Sequence, residues 1–254
     1  MLGIALLALA AMRIVSLAPS ITEDLFAIGA GPQVVAVDVF SDRPAPATHL
    51  PRVGSMNDLN TEAIVALHPD LVVGIAFQAP ALGALRRAGV RVVALPADDL
   101  TDDLSAIVQL GALSGHEPQA ERLRARLTNE LAALRVRARA MPERSAFVVV
   151  GQSPLYTAGP GSFIDDLLRS AHLRNVVPAL RVPYPPYSDE QLVAEQPDII
   201  IVEAGTQLRG TPWDRLRAVR AGHVAVLPQG QLFRPGPHAA DALRALIAET
   251  ATWR

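Results

Sequence analysis

The chain has 254 residues, of which 50% are hydrophobic, with a formal net charge of −2 and no cysteine. This length can bury two modest cores, and a balanced charge without a basic cluster argues against a nucleic-acid surface. Because cysteine is absent, disulfides, thiolate metal sites, cysteine nucleophiles and a lipidated N-terminal cysteine are excluded. All 23 basic residues are arginine, which also excludes a P-loop lysine and a Schiff-base lysine.

Residues 1–12, MLGIALLALAAM, form an uncharged apolar run. The run is shorter than the roughly 20 residues that a membrane-spanning helix needs. It is similar to the hydrophobic part of a secretory signal whose basic start is missing. We therefore predict a truncated signal-like segment, with a misplaced start site or an unordered terminus as the alternative.

The pattern of residues 13–115 predicts an α/β lobe with a mostly parallel sheet. Apolar runs alternate with shorter helical patterns, as buried parallel strands and their connecting helices do. The predicted strands are Arg13–Leu17, Val34–Asp38, Leu71–Gly74 and Val90–Leu95. The predicted helices are Thr22–Ile28 and Ala79–Ala88.

A long helix is predicted over residues 116–141. Leucines at positions 123, 127, 131 and 134 recur at steps of three and four, which forms one apolar stripe on a charged helix. A helix of about 23 residues is roughly 35 Å long and could connect two lobes. A rigid connector of this kind predicts small lobe movements rather than a wide hinge. A coiled-coil partner helix is the alternative interpretation.

The region from residue 142 to residue 254 predicts a second α/β lobe. Its predicted strands are Ala146–Val150, Ile199–Val202 and Val224–Leu227, and its last helix is Ala239–Thr250. The two lobes share a near-repeat, EAIVALHPDLVV from Glu62 and EQLVAEQPDIII from Glu190. The repeat predicts two similar lobes, with a cleft between them as the place for function.

Glu62 and Glu190 open the two copies of the repeat, each after residue types suited to helix N-caps. A carboxylate in a first helical turn stabilises the helix by about 0.3–1 kcal/mol, so helix stabilisation alone is one interpretation. Their matched positions favour a second one, in which they present two acidic anchors to a two-fold partner that carries arginines.

Several motifs spread along the chain together resemble one family. They are Phe40-Ser-Asp-Arg-Pro44, Val53-Gly54, the Glu62 repeat, Tyr156-Thr-Ala-Gly159, Arg181-Val-Pro-Tyr-Pro185, Ser188-x-Glu190-Gln and Arg234-Pro-Gly-Pro237. In order, they resemble the helical-backbone substrate-binding proteins of ABC importers, which take up cobalamin, ferric siderophores or haem. The similarity is greatest to the cobalamin-binding branch.

The resemblance implies a class III substrate-binding protein, which has two Rossmann-like lobes joined by one long helix. It implies a periplasmic or otherwise extracytoplasmic, soluble monomer that binds a corrinoid between its lobes. It also implies a protein without catalytic residues, a metal site or a cofactor of its own. The resemblance also implies that Glu62 and Glu190 dock to the permease of a permease–ATPase complex.

The resemblance further suggests which side chains contact the ligand. Tyr156 and Tyr184 stand where the cobalamin-binding branch carries aromatic residues that lie flat against a corrin; ordinary half-buried packing is the alternative. Phe233, Arg234 and His238 surround the turn before the last helix, where Arg234 could bind the amides or phosphate of a corrinoid. A helix start with a solvated arginine is the alternative there.

Two positions depart from the cobalamin pattern. Arg43 stands where that branch often has tyrosine, and Met56 where a tryptophan could have stacked on the ligand. A ferric siderophore, haem or a cobinamide-like corrinoid therefore remains open as the ligand, and Arg43 would contact an anionic one.

An enzyme is the alternative from another class, with the cleft as its active site. Gly151-Gln-Ser153 follows a predicted strand but lacks the second glycine of the G-x-S-x-G motif. The six histidines include no pair at i, i+4 and no HExxH motif, so we expect no metal site.

Overall fold

The computed structural model describes residues 12–55, 58–179, 182–232, 234–251 and 253. These residues divide into two compact units. The first comprises the described residues up to Leu95 together with Gln109–Ala120, and the second comprises Pro96–Val108 and the described residues from Glu121 onward. Apart from Met12, the predicted signal-like segment lies outside the described residues.

The first unit is built on a parallel sheet with an added hairpin. Its strands are β1 (Ile14–Ser16), β2 (Val34–Val37), β3 (Gly54–Ser55), β4 (Asp58–Leu59), β5 (Leu71–Ile75) and β6 (Val92–Leu95). Its helices are α1 (Pro19–Ala27), α2 (Thr61–Ala66) and α3 (Ala79–Arg87). The parallel sheet has the order β2-β1-β5-β6, and β3 and β4 form the separate antiparallel hairpin.

Two longer helices contribute residues to both units. They are α4 (Leu100–Ser114) and α5 (Glu117–Arg139). The 23 residues of α5 confirm the predicted long helix, and its leucine stripe is buried. Helix α4 was not recognised from the sequence. Within the described residues, no helix combines the length and the apolar composition that crossing a bilayer requires.

The second unit repeats the architecture of the first. Its strands are β7 (Arg144–Val148), β8 (Gly151–Gln152), β9 (Leu155–Tyr156), β10 (Leu173–Asn175), β11 (Ile199–Glu203) and β12 (Val224–Leu227). Its helices are α6 (Phe163–Ser170), α7 (Asp189–Glu195), α8 (Arg217–Arg220) and α9 (Ala239–Thr250). The parallel sheet has the order β10-β7-β11-β12, and β8 and β9 form a hairpin.

Numbered within each unit, the strands of both parallel sheets follow the order 2-1-3-4. The central strands β5 and β11 are buried except at their last residue and are rich in Val, Ile and Leu, as strands covered on both faces are. These two α/β units with parallel sheets confirm the predicted fold class.

The Pro-Asp turns of the repeat have the same structural role in both units. Asp70 accepts a hydrogen bond of 2.8 Å from the backbone N–H of Arg13, just before β1. Asp198 accepts bonds of 2.8 Å from the N–H and 2.6 Å from the hydroxyl of Ser145, in β7. Each aspartate therefore ties the start of the third parallel strand to the start of the first.

Candidate functional site

The loops that leave the carboxyl ends of the parallel strands carry most of the predicted site residues. In open α/β sheets this edge binds ligands, at the point where the strand order reverses. In the order 2-1-3-4 that point lies between the first and third strands, which are β1 and β5 in one unit and β7 and β11 in the other.

In the first unit, Gln78 joins the ends of these two strands. Its side chain accepts a bond of 2.9 Å from the N–H of Ile75 and donates one of 2.9 Å to the carbonyl of Leu17. Gln78 is only 2% exposed, so this bridge is part of the core that supports the loops.

A buried polar chain fixes the loop after β2. The Thr22 hydroxyl lies 2.8 Å from the hydroxyls of both Ser16 and Ser41, and Ser41 donates to Asp38. Arg52 holds the same loop from its other side, by bonds of 2.8 and 2.7 Å to the carbonyls of Asp38 and Ser41. Burial raises the pKa of Asp38, although the Ser41 hydroxyl and the Arg52 charge oppose the shift.

This fixed loop presents Phe40 and Arg43. Phe40 is 59% exposed, unusual for so large an apolar side chain, and Arg43 is also exposed. Phe40 was not predicted to be a site residue; the signal for it in the sequence is an aromatic residue just beyond a predicted buried strand. Met56, on the segment between β3 and β4, lies outside the described residues.

In the second unit, Tyr156 and Tyr184 share the exposed face of an antiparallel ribbon. Residues 183–187 run beside residues 155–159, with Tyr156 opposite Pro186 and bonds from Thr157 and Tyr187 across the pair. Because side chains alternate between faces, the two tyrosines become diagonal neighbours on one face. They are 38% and 43% exposed, whereas Tyr187 on the other face is 7% exposed and packs on Phe147.

The environment of Tyr184 keeps its hydroxyl neutral. Burial of the phenol and, to a smaller extent, the charge of Asp98 raise the pKa of Tyr184 to about 12. The side of the residue that remains exposed is available to a ligand.

Glu203, at the end of β11, was missed by sequence reasoning. Its two carboxylate oxygens accept bonds of 2.9 Å from the N–H of Gly230 and 3.0 Å from the N–H of Leu232. They fix the turn after β12, which leads to the half-buried Arg234. The only available signal was an acidic residue that follows four apolar ones.

His238 occupies the N-cap position of α9 without a capping side-chain bond. Its Nδ1 lies 3.1 Å from the Asp241 carboxylate, which also binds Arg244. Phe233 lies outside the described residues. Thus Arg43, Tyr184, Arg234 and His238 lie on loops or at a helix start that follow strand carboxyl ends, and Tyr156 lies in the β8–β9 hairpin that follows β7.

Glu62 and Glu190 occupy equivalent positions in the two units. Each is the second residue of the helix before the third parallel strand, behind the N-caps Asn60 and Ser188. Both are exposed, and no hydrogen bond or ion pair joins either carboxylate to another described residue. Unlike Asp70 and Asp198, they have no partner in the described part of the chain that would explain them as structural anchors.

Groups of three or more His, Asp or Glu side chains that could hold a metal ion do not occur among the described residues. In each unit, an exposed aromatic ring and an arginine follow the carboxyl ends of the parallel strands, an arrangement that suits ligand binding.

The chain is similar in sequence and in fold to known binding proteins. The sequence model of the family described as periplasmic binding protein matches residues 14–230. A vitamin B12-binding protein of Salmonella paratyphi A is 35% identical over 197 residues, which are 76% of this chain and 73% of that protein.

Solved structures extend the similarity to nearly the whole chain. The periplasmic vitamin B12-binding protein of Vibrio cholerae has a TM-score of 0.87 and 27% identity, covering 95% of this chain and 97% of that one. A periplasmic haem-binding protein of Roseiflexus sp. RS-1 has a TM-score of 0.85 and 29% identity, covering 95% and 98%. The chain therefore belongs to the periplasmic binding protein family and is a binding protein rather than an enzyme.

Proposed function

We propose that this protein is the extracytoplasmic substrate-binding protein of an ABC importer and captures a corrinoid of the cobalamin type. The observation that carries the ligand assignment is the 35% identity to a vitamin B12-binding protein over three quarters of the chain. The exposed rings of Tyr156 and Tyr184 suit a broad, flat ligand, because such rings bind by lying against its face.

Titration of the purified protein with cyanocobalamin, dicyanocobinamide, hemin and a ferric siderophore tests the ligand. We expect saturable 1:1 binding of cyanocobalamin by calorimetry or absorbance. If cyanocobalamin shows no binding while hemin or the siderophore saturates, the corrinoid assignment is wrong.

Haem is the second candidate, because a haem-binding protein matches this fold almost as well as the cobalamin-binding one does. Haem iron needs an axial ligand such as tyrosine or histidine, whereas a corrin can be held by ring contact alone. Tyr184→Ala should weaken either ligand by about tenfold through lost ring contact. Tyr184→Phe keeps the ring, so it should matter only if the hydroxyl ligates iron, and the haem absorption band would then change.

We further propose that Glu62 and Glu190 dock to paired arginines of the permease, which works with an ATPase. Two exposed carboxylates at the same position of two equivalent helices, each without a partner among the described residues, support this role. Interface arginines bind such carboxylates by charge-assisted hydrogen bonds.

Reversal of both charges, Glu62→Arg with Glu190→Arg, should abolish uptake in cells and leave ligand affinity unchanged. Glu195→Arg is a matched control, because Glu195 is an exposed acidic residue in the last turn of the same α7. Normal uptake by the double variant would refute the docking role. Glu62→Gln with Glu190→Gln separates loss of charge from repulsion.

A further inference from the structure

Glu203 holds the turn after β12 with both of its carboxylate oxygens. Residue 203 pairs with residue 227 in the parallel register of β11 and β12, so the turn begins directly beside the Glu203 side chain. Oε2 accepts from the N–H of Gly230 at 2.9 Å and Oε1 from the N–H of Leu232 at 3.0 Å. Bonds to an ionised acceptor are stronger than neutral ones, so this pair is a rigid clamp on the turn.

The turn itself is tight and needs glycine. The N–H of Gln231 donates to the carbonyl of Pro228 at 3.1 Å, and Gly230 has a φ of +71°. Leu232 is fully buried and fixes the far end of the turn in the core. A side chain other than glycine would be strained at residue 230 because of its backbone conformation.

The Arg234 side chain lies across Gly230. A Cβ atom built on Gly230 would lie 3.0 Å from Nε of Arg234 and 3.5 Å from both Cζ and Nη2. The bare glycine therefore provides the surface against which the guanidinium rests. The clamp on Gly230 consequently also holds one of the surfaces that the Arg234 guanidinium contacts.

We propose that Glu203, acting through Gly230, is the positioning residue for Arg234 and thereby sets the selectivity of the site for a ligand that carries an anionic group. The proposal rests on the proposed binding function. A guanidinium held in place loses little freedom on binding, and its planar donors match the oxygens of a phosphate or carboxylate. The phosphodiester of cobalamin and the propionates of haem are two sources of that chemistry.

Glu203→Gln tests the clamp with almost no change of shape. The amide has one acceptor oxygen, and its NH₂ group faces the second backbone N–H, so one bond is lost. We expect the Kd for cyanocobalamin to rise about tenfold, the equivalent of one charge-assisted bond. The Kd for dicyanocobinamide, which lacks the phosphodiester, should change less than about twofold. Hydrogen exchange at the Gly230 and Leu232 amides should become faster.

Asp198→Asn is the matched control. Asp198 binds the backbone N–H of Ser145 at the opposite end of the same β11, so its loss weakens the second unit without touching the turn. We expect this variant to unfold more easily and to keep the wild-type ratio of the two affinities. Gly230→Ala is a second variant, because it displaces Arg234 while Glu203 stays intact. It should reduce the preference for cyanocobalamin over dicyanocobinamide.

If Glu203→Gln speeds exchange but leaves both affinities as in wild type, Glu203 is merely structural and the proposal is overturned. An equal loss for both corrinoids overturns it as well. If the wild type binds neither corrinoid, the corrinoid function fails, and the positioning role is decided with hemin and hemin dimethyl ester. If Glu203→Gln weakens the binding of hemin more than that of the ester, whose propionates are blocked, the role is supported. Equal weakening of both, or no weakening, overturns it.

Discussion

Asp198→Asn should destabilise the second unit more than the equivalent Asp70→Asn destabilises the first. Asp198 accepts two hydrogen bonds from Ser145, at 2.8 and 2.6 Å, whereas Asp70 accepts one from Arg13 at 2.8 Å. Because Asp198 is exposed, solvent screens its charge, and we expect a loss of about 1–2 kcal/mol. For Asp70→Asn we expect about 0.5–1 kcal/mol.

The loss should also depend on pH. The Ser145 hydrogen bonds lower the pKa of Asp198 below its usual value of 3.8, and burial only partly opposes them. A folded-state pKa below the unfolded one contributes stability above the unfolded pKa, and this stability disappears as the pH falls through the folded pKa. The difference between wild type and Asp198→Asn should therefore be constant near neutral pH and shrink below pH 3.8.

Tryptophan fluorescence measures this unit selectively. The sequence has two tryptophans, Trp213 and Trp253, and both lie in the second unit. Asp198→Asn should lower the fluorescence-detected melting temperature by roughly 2–8 °C. Asp70→Asn should change the circular dichroism melt and leave the fluorescence melt nearly unchanged. Equal effects of the two variants, or a loss at Asp198 that persists undiminished at acid pH, would refute the reasoning.

Three further outcomes are expected. Burial holds the pKa of Asp38 above its usual value, so wild-type stability should fall as the pH rises through that pKa, and Asp38→Asn should show a flatter profile in urea titrations. Gly54→Ala should cost more than about 3 kcal/mol, because its Cβ would lie 2.1 Å from a backbone oxygen at a φ of +103°; Gly161→Ala, at +85° in open space, should cost about 1 kcal/mol in the same assay. Tyr184→Phe should remove a phenolate absorbance step near pH 12 from the wild-type titration, and loss of a step near pH 10 instead would contradict the environment described for Tyr184.

The buried parallel strands were predictable because their apolar runs are continuous. Ile199–Glu203 and Leu71–Ile75 differ from the predicted strands by one residue at most at either end. The repeat also predicted equivalent positions for Glu62 and Glu190, since a helix N-cap, a proline and a buried strand follow one another in both copies. Such features are determined by residues that are close together along the chain, so they can be recognised in one sequence.

The elements that sequence analysis missed depend on tertiary contacts. Helix α4 contains Gly111, and glycine has a low helix propensity. A Cβ at Gly111 would lie 2.4 Å from that of Ala120, so the glycine is required by close packing instead. Strand β10 has only three residues, with an exposed arginine in the middle, as suits the edge of a sheet.

The candidate site was predictable only in part for the same reason. Tyr156 and Tyr184 lie 28 positions apart, and only the antiparallel ribbon makes them neighbours. Glu203 looks like any acidic residue after a strand until the turn at Gly230 folds back onto it. Phe40 was not selected, because the sequence alone does not show that its ring is exposed rather than packed in the core.

The two edges of each parallel sheet have different roles, one in stability and the other in presenting the candidate site residues. At the amino edge, Asp70 and Asp198 connect strands by hydrogen bonds, and substitution of either aspartate lowers the stability of its unit. At the carboxyl edge, the connections bear the exposed rings and arginines and can be exchanged while the strands beneath stay as they are. Ligand specificity can therefore evolve by changes in the loops at the carboxyl edge while the contacts at the amino edge stay the same. A protein engineer who grafts loops onto this scaffold has the same freedom.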